Sequence, residues 1–82
     1  MLNILRTLLK TESLAINDER FRVRYFVLRT PRGGLRYSVE IVLGPDDRII
    51  LDGDSLTNIQ ARAMRLVPAT VYSRQLARAT TA

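Results

Sequence analysis

Between Arg20 and Leu43 the chain alternates apolar and polar residues on either side of Thr30-Pro31-Arg32-Gly33-Gly34, and no other stretch constrains the fold as strongly. Successive side chains of a strand point to opposite sides. Phe21, Val23, Tyr25 and Val27 therefore share a face, as do Leu35, Tyr37, Val39, Ile41 and Leu43. Both sets are odd-numbered, so facing them together needs partners whose numbers sum to an even value. A loop of Pro31, Arg32 and Gly33 closed by Thr30 and Gly34 meets that condition, with Pro31 presetting φ and Gly33 free to take the left-handed conformation. The resulting register sets Val23 beside Ile41, Tyr25 beside Val39, and Arg24 beside Glu40 on the opposite face.

A second turn, Gly44-Pro45-Asp46-Asp47, has Pro and Asp where a type I turn favours them and leads into Arg48-Ile49-Ile50-Leu51. Pairing Leu43 with Ile49 and Ile41 with Leu51 keeps the odd face apolar. The even face then collects Arg20, Arg22, Arg24, Arg36 and Arg48, a single Glu40, and the apolar Phe26, Leu28, Val42 and Ile50.

The flanks read as helices. Leu2, Ile4, Leu5, Leu8 and Leu9 fall at helical spacing and predict a short amphipathic helix over residues 1–10. Leu14 and Ile16 alternate with Ser13, Ala15 and Asn17, which fits either an extra short strand turning through Asn17-Asp18-Glu19 or an extended connection. After the third strand, Asp52-Gly53-Asp54-Ser55 offers N-cap residues before a core stripe of Leu56, Ile59, Ala63 and Leu66. Pro68 ends or kinks that helix near Val67 and opens a second helical segment carrying Val71, Tyr72, Leu76 and Ala79. The expected fold is α+β: one domain over residues 1–82, a three-stranded antiparallel meander with an N-terminal helix and one or two C-terminal helices on its odd face.

With 82 residues, a formal charge of +5, no cysteine and no histidine, the chain excludes much chemistry. Thiol catalysis, Cys-ligated zinc and disulfides are ruled out, and the usual general base and commonest metal ligand are missing. The carboxylates Asp46, Asp47, Asp52 and Asp54 match no EF-hand spacing and read as turn and capping groups. Arg32-Gly33-Gly34 is a turn, since RGG segments act as repeats in disordered tracts. Neither a nucleotide-binding loop nor a nucleophile constellation is present. The reading is non-enzymatic, with no cofactor, metal or small-molecule substrate. No apolar run approaches the roughly 20 residues that span a bilayer, so a cytoplasmic protein without membrane contact is expected.

The expected order α-β-β-β-α is similar to that of double-stranded-RNA-binding domains, whose second helix opens with a lysine-rich phosphate clamp. Here that position holds Asp52-Gly53-Asp54-Ser55. A three-stranded sheet followed by a helix is also similar to plant AP2 and integrase arm-binding modules, and that likeness implies Arg20, Arg22, Arg24 and Arg36 as groove-reading residues. Neither motif is matched residue by residue, and fold analogy does not carry function.

Function is expected on the even face. Arg20, Arg22, Arg24, Phe26, Leu28, Arg36, Val42 and Ile50 form the candidate partner-binding surface of a small interaction or regulatory module, of the kind an accessory or phage-encoded protein supplies. Interface cores enrich arginine beside Phe and aliphatic residues, so the partner is another protein or a second copy of the chain. The alternative is a nucleic acid held by the same arginines.

Overall fold

The structure, a computed structural model, describes residues 5–80. Strands β1 (Leu5–Ile16), β2 (Glu19–Arg29), β3 (Leu35–Gly44) and β4 (Asp47–Gly53) form an antiparallel sheet in sequential order, and one helix, α1 (Leu56–Thr80), follows. This corrects the expected architecture at both ends. The N-terminal segment, apart from residues 1–4, which lie outside the described residues, is an edge strand rather than a helix. The C-terminal region, expected as one or two helices, is a single helix running through Pro68.

The central hairpin forms in the register that alternation dictates: Val23 pairs with Ile41, Tyr25 with Val39 and Arg24 with Glu40. Gly33 has φ 84°, and the loop closes through the Thr30 N–H to the Gly34 carbonyl at 2.8 Å and the Gly34 N–H to Thr30 Oγ1 at 3.0 Å. Asn17 and Asp18 both take positive φ in a two-residue turn that joins β1 to β2. In the third hairpin the register differs from expectation by two residues. Ile41 pairs with Ile49 and Val39 with Leu51, because Pro45 and Asp46 form a two-residue turn and the ladder slips between Val42 and Gly44. A slip of two leaves every side chain on its expected face.

α1 covers the odd face. Ile59, Ala63, Val67 and Val71 lie at i, i+4, i+8 and i+12, and they close a core with Phe21, Val23, Tyr25, Val39 and Ile41. Tyr25 is only 1 % exposed. Leu66, expected in the core, is exposed, and Val67 takes its place. The helix starts at Ser55, whose Oγ accepts from the Asn58 N–H at 3.3 Å. Pro68 removes the N–H that would reach the Met64 carbonyl, at a cost of about 3 kcal/mol. Buried Val67 and Val71 hold both sides of that defect against the sheet, so the axis continues and Pro68 is left exposed.

At Gly53 β4 passes close to α1: a Cβ there would lie 2.6 Å from Ile59 Cγ2. Ile59 is fully buried and β-branched, so its χ1 has little freedom to yield. Gly53→Ala is expected to lower stability by about 1–3 kcal/mol through overpacking. A urea midpoint unchanged from wild type would show that helix and strand can separate there without loss.

The C-terminal half of α1 is tied down by polar contacts. Arg74 donates to both Asp47 oxygens at 2.7 and 3.0 Å, Gln75 Nε2 donates to Glu19 Oε1 at 3.1 Å, and Arg78 lies 3.8 Å from the same Glu19 oxygen. Hydrogen bonding from Arg74, helped by its charge, holds the Asp47 carboxyl below its ordinary value of 3.8. Because the folded pKa lies below the unfolded one, this link stabilises the fold above the unfolded pKa and is lost as pH falls through the lowered value. Asp47→Asn is expected to flatten the melting-temperature profile between about pH 5 and pH 2. Identical profiles for variant and wild type would remove the link from the account.

Candidate functional site: the open face of the sheet

Among the described residues, no helix lies on the opposite face of the sheet. Its layout follows from the ladders. In one row Arg6 of β1, Leu28 of β2 and Arg36 of β3 are neighbours, and in the next Leu8, Phe26, Ser38 and Asp52. A third row holds Thr11, Arg24, Glu40 and Ile50, and a fourth Ser13, Arg22, Val42 and Arg48. Ala15 and Arg20 complete the face beside the β1–β2 turn. Arg20, Arg22, Arg24, Phe26, Leu28, Arg36, Val42 and Ile50 are thus brought onto one surface.

That surface has two unlike halves. Near the loop at residues 31–34 apolar side chains lie between Arg6 and Arg36, with Leu8 51 % exposed and next to half-buried Phe26 and Leu28. Ile50, 55 % exposed, stands on the β4 edge across Glu40 from Arg24. Near the β1–β2 turn it is cationic, with Arg20, Arg22, Arg24 and Arg48 around Val42.

Glu40 lies between the halves. Its side chain is only 6 % exposed although no helix covers it, because long neighbours across both ladders close over it. Arg48 Nη1 donates to Oε2 at 3.0 Å, while Arg24 Nε lies 3.3 Å from Oε1, in ion-pair range but without hydrogen-bond geometry. One buried carboxylate therefore orients two guanidiniums. Arg36 is turned to the margin by Asp54 at 2.7 Å. Arg20 and Arg22 are exposed and have no ion-pair partner among the described residues.

Reading the N-terminus as a helix hides Arg6 and Leu8, which belong to this site. The Arg6 guanidinium sits 3.7 Å from the centroid of the Phe26 ring, so the aromatic of the open face is already capped by a cation on one side. The signal was present in the alternation of Arg6, Leu8 and the later Leu14 and Ile16, broken by one extra residue at Leu9, where the β1–β2 ladder slips.

A groove of about 420 Å³ lies between α1 and the β3–β4 turn, with Phe21, Leu43, Val71 and Ala77 in its lining. Its charged rim is internally paired, Arg74 with Asp47 and Arg78 with Glu19.

Among the described residues no helix is long and apolar enough to cross a membrane. No family model, curated protein or solved structure matches this chain.

Proposed function

We propose that the open face binds another protein, through a segment that presents carboxylates beside an apolar side chain. The observation that carries this reading is one surface on which exposed apolar side chains lie at one end and Arg20 and Arg22, without an ion-pair partner among the described residues, lie at the other. Covering Leu8, Phe26, Leu28 and Ile50 supplies on the order of 4 kcal/mol before association costs, since each is already partly buried. Carboxylates meeting Arg20 and Arg22 add bidentate hydrogen bonds and fix orientation.

Nucleic acid fits this surface less well. Arg24 and Arg48 are committed to Glu40, Arg36 to Asp54 and Arg6 to the Phe26 ring, so a phosphate backbone meets only Arg20 and Arg22 as guanidiniums of this face without such a contact among the described residues. Two phosphate contacts correspond to a log–log salt slope of only about −1.8 on duplex DNA. Nor does this face suit a second copy of itself, which brings arginines to arginines with few carboxylates to meet them.

The test is selection of random peptides on immobilised protein. Enrichment of sequences that combine Asp or Glu with an aromatic or aliphatic residue is expected, with binding lost in Arg20→Glu/Arg22→Glu. Enrichment indifferent to acidic residues, or tight duplex DNA binding with a steep salt slope, would overturn the reading.

A further inference from the structure

The outer surface of α1 carries exposed apolar side chains interspersed with arginines. Among the described residues, Met64, Leu66, Tyr72 and Leu76 of this helix are large, apolar and exposed, Tyr72 at 59 % and Leu76 at 49 %. The residues pointing away from the sheet are Ala61, Arg65, Pro68, Tyr72, Leu76 and Ala79, all exposed. They recur every three or four positions, the spacing of a helix–helix seam.

This seam is complementary to itself in one orientation. With two helices antiparallel about an axis between Pro68 and Ala69, paired positions sum to the same value along the whole contact. Ala61 then faces Leu76 of the second copy, a small residue against a large one, and Arg65 faces Tyr72. Arg65 has no ion-pair partner among the described residues, and a ring face is a fitting neighbour for a guanidinium. An acidic partner helix is not needed to satisfy the other cations, since Arg74 and Arg78 reach Asp47 and Glu19 of their own chain.

We propose that α1 pairs antiparallel with α1 of a second copy about this axis, giving a dimer with its two open sheet faces directed outward. The seam from Asn58 to Ala79 is about 32 Å long. Contact along it buries roughly 1,000 Å² in total, below the roughly 1,200 Å² of specific stable interfaces, so the dimer is a weak, concentration-dependent one. The inference stands apart from the reading of the open face.

The test uses mass measurement and engineered cysteines, which the cysteine-free chain allows without background. Between about 10 and about 500 μM the mass should rise from monomer toward dimer, should stay monomeric in Tyr72→Glu, and should rise normally in Phe26→Ala. Under mild oxidation, Ala61→Cys mixed with Leu76→Cys should form a disulfide-linked dimer, whereas neither variant alone should, because like positions lie about 22 Å apart along the axis. A monomer at every concentration overturns the proposal. So does self-linking of Ala61→Cys, which indicates a parallel pair. If Tyr72→Glu fails to fold, the cysteine mixture still decides.

Discussion

Replacing both Arg24 and Arg48 with alanine is expected to destabilise the fold by about 3 kcal/mol, the lower end of what breaking a buried ion pair costs. The physical reason is the position of Glu40, whose side chain is nearly closed off from water between two guanidiniums. The guanidiniums are themselves partly solvated, which moderates the loss. Each single variant leaves one cation in place, so the double should cost clearly more than the two singles added together. Replacing all three groups with Met and Leu removes the buried charge along with its partners and should be neutral or stabilising. Urea unfolding with an unchanged m-value gives these differences directly. A double-variant cost below about 1 kcal/mol would mean that Glu40 reaches water as an exposed carboxylate does.

Phe26→Ala should weaken partner binding by roughly 30- to 100-fold, or about 2–3 kcal/mol, while leaving the fold intact. Phe26 lies in the middle of the apolar half, beside Leu8 across the β1–β2 ladder and under the Arg6 guanidinium, and it is only half-buried in the free protein. Charge reversal at Arg20 and Arg22 should also abolish binding, by a different route. Its effect acts through exposed charges and should shrink as salt rises, whereas the effect of Phe26→Ala should not. Measuring both variants at low and high salt with an acidic, apolar peptide separates the two halves of the surface. Equal salt sensitivity would contradict the division drawn between them.

Much of this surface is legible in the sequence, because strand alternation is a strict period and the loop at residues 31–34 permits only one parity of pairing. The third hairpin moved by two residues without consequence for the faces, since parity rather than register assigns them. The N-terminal strand is not legible in the same way. Leu5, Leu8 and Leu9 imitate the i, i+3, i+4 pattern of a helix, yet the cause is a bulge: Leu8 pairs with Phe26 and Lys10 with Tyr25, leaving Leu9 as the extra residue. A helix of that length needs tertiary support, while a strand receives it from the long β2 ladder. Pro68 misleads for a related reason. Its local cost argues for a break, but Ile59, Ala63, Val67 and Val71 make a single stripe only if the helix runs through. The Glu40 cluster depends on which strands flank β3, and alternation alone supplies one partner, Arg24. Arg48 joins through the diagonal of a ladder whose register the sequence misplaces.

The central claim, that the uncovered sheet face rather than the helix or the groove receives the partner, is tested most directly by backbone amide NMR of the protein titrated with a selected acidic, apolar peptide. The account predicts that the largest shifts fall on Arg20, Arg22, Arg24, Phe26, Ser38 and Ile50, with Val71, Tyr72 and Ala77 unmoved. Shifts confined to α1 and to the groove at Leu43 and Val71 would contradict it.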